Sequence, residues 1–284
     1  MIQQAQPDRR RAMDGVRGRS FTQATIPAGY SRYLLRQLFE PWAKDMIERA
    51  SPRPGDAVLD LASGLGPVAR LAAAAAGSSG RVVASDISPA MLAVAASRPA
   101  PPDWAPIEYL ECPASAIDAA SDSFDVVYCS HGLEFFAERE LALSEMYRVV
   151  KPGGIVLMSV WAAEQPVGLF RQLGQTMREV GLSQPYSGAY DGDSYRMSGS
   201  ELQGMVQAAG FGDVKVEMVE LEGRWDNPED AASTVQGTPF GPLVAAMSAE
   251  DQLRVRKIMI SKLGESAGAV TVRSFSNVAI GTKR

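Results

Sequence analysis

Histidine and cysteine are scarce in this chain of 284 residues, which carries one histidine, His131, and two cysteines, Cys112 and Cys129. A structural zinc site takes about four nitrogen or sulfur ligands, so the reading assigns no metal. The two cysteines have no CxxC spacing and suit a reducing compartment as ordinary buried thiols. Positive charge is also short: 28 Lys and Arg against 33 Asp and Glu leave a net charge of -5. Such a surface is poorly built to neutralise phosphates, so no nucleic-acid partner is expected. The local exception is Arg9, Arg10, Arg11, Arg17 and Arg19, read as a solvated tail rather than an RNA-binding arm. No apolar run reaches the roughly eighteen residues of a membrane-spanning helix, and Met1 to Ser20 lacks the apolar core of a signal peptide. No membrane partner and a cytoplasmic location are expected. What is present is 46% hydrophobic and 21% charged residues, enough for one sizeable core and incompatible with disorder as the main state.

From Ser31, the residues Leu34, Leu35, Leu38, Trp42 and Met46 recur at helical spacing, with Pro41 set to kink or divide that helix. A turn at Arg53-Pro54-Gly55-Asp56 precedes the apolar run Ala57 to Leu61, a Gly-rich loop and the Ala-rich stretch Pro67 to Ala76. That order is strand, loop, helix, and it repeats: Arg81 to Ser85 reads as a strand, then Ser88 as an N-cap with Pro89 at the first helical position. Ile107 to Glu111 and Phe124 to Cys129 are the third and fourth strands. Arg139 to Val150 is a helix stopped by Lys151-Pro152-Gly153-Gly154, and Ile155 to Trp161 is the fifth strand. Alternation of this kind predicts an α/β fold with a parallel sheet and crossover helices.

Beyond Ala162 the pattern loosens. Helices are expected over Leu169 to Val180 and Ser200 to Ala209, a loop over Gln184 to Tyr195, and a strand over Asp213 to Leu221. Two more helices fall within residues 224–266, ahead of two closing strands at Ala269 to Arg273 and Phe275 to Ile280. With no crossover helix placed between them, an antiparallel edge is the simpler closing move.

In an open parallel sheet, ligands bind beyond the carboxyl ends of the strands at the topological switch point. The loop there reads Asp60-Leu61-Ala62-Ser63-Gly64-Leu65-Gly66-Pro67. Gly64, Gly66 and Ala69 satisfy G-x-G-x-x-[G/A], and Asp86 lies where a ribose-binding acid belongs. That pattern by itself admits any nucleotide-like ligand, a nicotinamide dinucleotide included. Pro67, however, removes an N–H donor where a pyrophosphate would sit, and Asp60 opposes a diphosphate while favouring a cationic ligand. S-adenosylmethionine, with an ammonium, a sulfonium and no phosphate, fits both features.

The stretches VLDLASGLG (58–66), VVASDIS (82–88), SFDVVYCSHGLEFF (123–136) and EMYRVVKPGGIVLMSVW (145–161) resemble, in order and spacing, the successive motifs of class I S-adenosylmethionine-dependent methyltransferases. The resemblance is greatest to small-molecule enzymes similar to those of ubiquinone and menaquinone biosynthesis. It implies a doubly wound, mostly parallel seven-stranded sheet of Rossmann-like type with an antiparallel edge strand and a partly helical cap. It also implies that Asp60, Ala62, Ser63 and Gly64 surround the methionine portion of the cofactor, with Gly66 permitting close backbone approach. Asp86 takes the ribose hydroxyls, Ile87 packs on the adenine, and Met91, Ser130 and Tyr33 line the same site. Relatives usually have Gly where Ala62 stands, which would set that loop slightly further from the ligand. They commonly have Asp where Pro113 stands, leaving Ala114 and Ser115 to read the base.

The same resemblance sets His131 beside the reactive methyl group, as general base or orienting group, with Glu134 as its catalytic companion; packing is the alternative role for both. Tyr30, Trp161 and Tyr190 would border the acceptor, Tyr190 lying with Tyr186 and Tyr195 in a candidate lid. The organisation expected is a mobile tail and lid (1–30), a cofactor-binding core (31–161), a cap insertion (162–212) and closing strands with a helical insertion (213–284), one domain in all. The expected activity is methyl transfer to an O, N or C atom of a small metabolite, with natural-product tailoring favoured. A non-methylating scaffold and an NAD-linked oxidoreductase are the competing readings. The partner expected is the small-molecule acceptor, on a monomer or homodimer.

Overall fold

The computed structural model describes residues 26–165, 168–182, 196–264 and 268–284. Helix α1 (Ile26–Tyr30) runs into a π-helical segment (Ser31–Phe39) and then α2 (Glu40–Arg49). Next come β1 (Ala57–Leu61), α3 (Pro67–Ala76), β2 (Arg81–Asp86), α4 (Pro89–Ala96), β3 (Ile107–Glu111) and β4 (Phe124–Ser130). A 3₁₀ turn (Leu133–Phe135), α5 (Arg139–Val149), β5 (Val150–Ala162) and α6 (Gly168–Glu179) follow. The remainder is β6 (Arg196–Met197), α7 (Gly199–Ala208), β7 (Gly212–Trp225), α8 (Pro228–Ala232), a second 3₁₀ turn (Ser233–Gly237), α9 (Gly241–Ala245), α10 (Ala249–Leu263) and β8 (Val270–Thr282).

The strands form one sheet in the order β3-β2-β1-β4-β5-β8-β7, with the two-residue β6 beside β5. Strands β1 to β5 pair in parallel, and β8 lies antiparallel between β5 and the edge strand β7. Because strand side chains alternate between faces, each strand feeds two cores. Val58, Val82, Ala84, Val126, Tyr128 and Leu157 pack with α2, α3, α6 and α10 on one face. Leu59, Leu61, Val83, Val127, Cys129 and Met158 pack with α5 and α7 on the other. Order reverses between β1 and β4, so the switch point lies at their carboxyl ends.

Four boundaries differ from expectation. Ile26, Pro27 and Gly29, within the segment expected to be mobile, are buried in α1. Fixing them is an apolar cluster of Ile26, Leu35, Leu65 and Met91. The helix around Pro41 changes type: Glu40 N–H bonds back to Leu35 O, five residues earlier. Proline supplies no donor and its ring presses on the carbonyl four residues before it, which favours this wider turn. Strand β5 begins at Val150, and its Pro152-Gly153-Gly154 forms a bulge where pairing jumps from Phe124↔Val150 to Val126↔Ile155. Finally, the two closing strands are one. Ser274 pairs with Leu221 inside the ladder and donates its hydroxyl to the Leu221 carbonyl at 3.0 Å, so the polar residue does not interrupt the strand.

Candidate cofactor and acceptor site

Strand β1 ends in a loop whose shape follows from three left-handed residues, Ala62 (φ 58°), Gly64 (φ 55°) and Gly66 (φ 71°). Ser63 N–H bonds to Ser85 O and Gly66 N–H to Ser63 O, which folds the loop back over the tips of β1 and β2. Asp60 is 1% exposed and accepts at 2.9 Å from the N–H of Ala69 in the first turn of α3, where helix N–H groups lack intrahelical partners. Burial raises its pKa to about 7, opposed by that hydrogen bond. Asp86 accepts from Gly64 N–H through one oxygen and from Ser88 N–H through the other, both at 2.8 Å. Burial raises its pKa as well. Each carboxylate keeps lone pairs beyond these bonds.

The residues present fit S-adenosylmethionine on three counts. The Ser63 hydroxyl is buried and has no partner, a group that a ligand would satisfy. A Cβ placed on Gly64 would meet nothing within 4 Å, so the loop opens outward there. Ile87, beside Asp86, is 47% exposed despite being apolar, as expected of a ring-stacking surface. No cluster of three or more His, Cys, Asp or Glu suited to a metal occurs among the described residues.

The Ala62 methyl lies against Gly132, where an added Cβ would stand 2.7 Å from it. Burial, with the charges of Asp86 and Asp60, raises the Tyr30 pKa, so Tyr30, expected at the acceptor, also lies within electrostatic reach of both aspartates. The Tyr33 carbonyl accepts from the Trp225 indole at 2.7 Å and Arg32 lies over its ring. Helix geometry separates the two faces: three π-helical residues do not return a side chain to the same side. Met91, 3% exposed, packs in the apolar cluster with Ile26, Leu35 and Leu65. Pro113 is exposed, with Ala114 and Ser115 half-buried, in the turn after β3.

From Tyr30 a line of rings runs away from the aspartates. Tyr30 stacks on Phe39 with centroids 4.9 Å apart, and Phe39 meets the edges of His131 and Trp161. His131 stacks on Trp161 at 3.8 Å, Trp42 meets both edge-on, and Phe170 of α6 closes against Trp161. Both imidazole nitrogens of His131 are engaged: Nε2 with Ser276 Oγ at 2.8 Å, Nδ1 with Ser130 Oγ at 3.3 Å and Ser159 Oγ at 3.4 Å. Burial lowers its pKa to about 3, so the ring is neutral. Its backbone is left-handed (φ 51°) and its N–H bonds to Ser159 O.

Glu134 is fully buried and neither carboxyl oxygen has a hydrogen-bond partner. Its own N–H and that of Trp161 favour the charged form without meeting hydrogen-bond geometry, and burial dominates, raising the pKa to about 8. It stands as a neutral acid beside the Cys129 thiol, whose pKa is also raised by burial. The candidate general base and its companion are therefore both uncharged and enclosed. Tyr190, Tyr186 and Tyr195 lie outside the described residues. Sequence reasoning missed Phe39, Ser159, Ser276 and Gly132 as site residues. Only Ser276 left a signal: Ser274 and Ser276 put hydroxyls at alternate positions, on one face of the strand they share.

The model of the ubiE/COQ5 methyltransferase family matches residues 34–173, which spans the π-helical segment, β1 to β5 and the start of α6. The ubiquinone/menaquinone biosynthesis C-methyltransferase UbiE of Xylella fastidiosa (strain M12) is 34% identical over 185 residues, 60% of this chain and 71% of the relative. The chain belongs to the ubiE/COQ5 methyltransferase family. UbiE of Xanthomonas campestris pv. campestris is 40% identical over 114 residues, a match that spans 45% of that relative's length. Among solved structures, the phosphoethanolamine N-methyltransferase 2 of Haemonchus contortus in complex with S-adenosyl-L-methionine has a TM-score of 0.58. It is 20% identical, with 92% of this chain and 57% of that one covered. The [4+2]-cyclase SpnF has a TM-score of 0.52 at 15% identity, with 86% and 80% covered. At such identities the likeness is one of fold, and one fold can host more than one chemistry.

Proposed function

We propose that this member of the ubiE/COQ5 family transfers the methyl group of S-adenosylmethionine to an O, N or C atom of a small metabolite. The observation that carries the reading is two buried carboxylates flanking one loop: Asp86 accepts from Gly64 N–H within it and Asp60 from Ala69 N–H of the helix that follows it. The cofactor supplies a methyl carbon on a sulfonium, activated for displacement. Asp86 would hold the ribose hydroxyls through lone pairs left by its backbone bonds, and Asp60 the positively charged end. Tyr30, above both aspartates, would exclude water from the sulfonium side. The rings of Phe39 and Trp161 would align the acceptor opposite the leaving sulfur. Positioning of this kind can supply on the order of 7–11 kcal/mol of barrier reduction. In balance, the carbon–sulfur bond breaks, the carbon–acceptor bond forms, S-adenosylhomocysteine leaves, and the acceptor loses a proton unless it was already anionic.

Natural-product tailoring is the role we favour, on the Ala-, Arg- and Gly-rich composition. The names of the matched relatives favour a second reading, C-methylation of a quinone-type ring. Incubation with methyl-labelled S-adenosylmethionine and a panel of phenols, quinols and amines tests both: label in the organic extract is expected. Tight S-adenosylhomocysteine binding with no labelled product from any acceptor would favour a non-methylating scaffold instead.

A further inference from the structure

Serines from three strands, β4, β5 and β8, surround the single imidazole of His131, and hydroxyl proton counting gives the arrangement a direction. Ser276 of β8 is fully buried, and His131 Nε2, at 2.8 Å, is its hydrogen-bond partner among the described contacts. A buried hydroxyl proton needs an acceptor, so Ser276 donates and Nε2 accepts. A neutral imidazole has one protonated nitrogen; the proton is therefore on Nδ1, which donates towards Ser130 Oγ and Ser159 Oγ. Ser159, also fully buried, cannot then donate to Nδ1, and its proton goes to Ser130 Oγ at 3.3 Å. Ser130 receives both donations and is the one half-buried serine of the three. It stands at the carboxyl end of β4, two residues past Tyr128, the partner of Asp60 in β1.

Resting on the cofactor site described above, we propose that the chain Ser276→His131→Ser130, joined by Ser159, makes Ser130 an obligate hydrogen-bond donor facing the reactants. It takes a lone-pair oxygen there, either the methionyl carboxylate of the cofactor or an oxygen of the methyl acceptor. His131 is then a positioning residue whose tautomer sets the donor, and it takes no proton during transfer. Stacking on Trp161 and the edges of Phe39 and Trp42 hold the ring in plane. That enclosure explains how a non-glycine residue persists in the left-handed region.

The single histidine makes the test direct. In the ligand-free protein labelled with ¹⁵N-histidine, the spectrum should show one tautomer, Nδ1 protonated and Nε2 not, unchanged from pH 5.5 to 8.5. Ser276→Ala should mix the tautomers, and Ser276→Thr, which restores the hydroxyl, should recover the single form. An Nε2-protonated ring, an averaged spectrum, a titration inside that window, or an unaltered tautomer in Ser276→Ala would each overturn the proposal. None of these readings needs ligand, so failure of the cofactor assignment would register separately, as absence of S-adenosylhomocysteine binding. Calorimetry on Ser130→Ala then separates the two oxygens. A loss of about tenfold for S-adenosylhomocysteine but not 5′-methylthioadenosine identifies the carboxylate; no loss for either, with a raised KM for the methylated acceptor, identifies the acceptor oxygen, and no loss with an unchanged KM overturns the proposal. Equal loss for both overturns the proposal, since 5′-methylthioadenosine has no oxygen at that end.

Discussion

Ala62 and Gly132 form a matched pair in which one side chain occupies the space the other lacks. Ala62 holds a left-handed backbone at a place where glycine would be unstrained, and its methyl lies 2.7 Å from any Cβ added to Gly132. Gly132→Ala should therefore cost about 1–3 kcal/mol by overpacking. The cost should shrink in an Ala62→Gly background, though not vanish, because Cys129 Sγ stands 3.0 Å from the same added atom. Urea titrations of the two single variants and the double variant close that cycle. Asp60 gives a second expectation. Its folded pKa lies near 7, above the ordinary 3.8, so its contribution to the stability of the ligand-free protein is full below pH 4. It is lost as pH rises to about 7. A cationic ligand favours the carboxylate, so S-adenosylmethionine should bind more tightly as pH rises towards 7 and then level off, releasing a proton at lower pH. Calorimetry in buffers of different ionisation enthalpy measures that proton, and Asp60→Asn should abolish it. Glu134 has the same sign: with a folded pKa near 8, wild-type stability should decline between about pH 4.5 and 8. Glu134→Gln should make that decline shallower and leave the Asp60 part, which ends near pH 7, as read from melting temperature against pH.

At the scale of elements, helix α1 and the turn Ser233–Gly237 meet through glycines. An added Cβ on Gly29 of α1 would lie 2.4 Å from the Gln236 carbonyl, and one on Gly237 2.7 Å from Tyr30 N and Cα. Neither obstacle is a flexible side-chain end, so the backbones must part. Gly29→Ala should release α1 and the π-helical segment from the turn Ser233–Gly237 while leaving the sheet intact. Hydrogen exchange should speed up over residues 26–39, with little change in β1 and β4, and S-adenosylhomocysteine affinity should fall because Tyr30 moves off Asp60 and Asp86. The elements that were readable from sequence were those with local causes. β1, β2 and α4 carry their own punctuation: Gly and Pro turns, the Ser88 cap that accepts from Met91 N–H, and Pro89 at the first turn. The π-helical segment was not readable, because Leu34, Leu35 and Leu38 suit either period, and the choice follows from Pro41 together with packing. Joining the closing strands across Ser274 needed the Leu221 carbonyl of another strand.

Across the whole molecule, the fold divides its tasks between two faces of one sheet. One core, under α5 and α7, packs aliphatic side chains of β1, β4 and β5; the other, under α2, α6 and α10, holds the rings that line the candidate acceptor site. A ligand that binds only the folded state stabilises it by mass action, about 2.7 kcal/mol at a hundredfold excess over Kd. S-adenosylhomocysteine at that excess should therefore raise Tm by several degrees, and NAD at equal concentration should not; a thermal melt with each compares them directly. No helix among the described residues is long and apolar enough to cross a membrane.

The sequence alone determined the alternation of strands and helices, the switch-point loop and its two aspartates, since each rests on spacing within a few dozen residues. Tertiary structure decided which tyrosine stands over those aspartates, what surrounds His131, and that Ser276 reaches it across 145 residues of chain. Those contacts bring together β4, β5 and β8, and no local pattern encodes the direction in which a distant hydroxyl points.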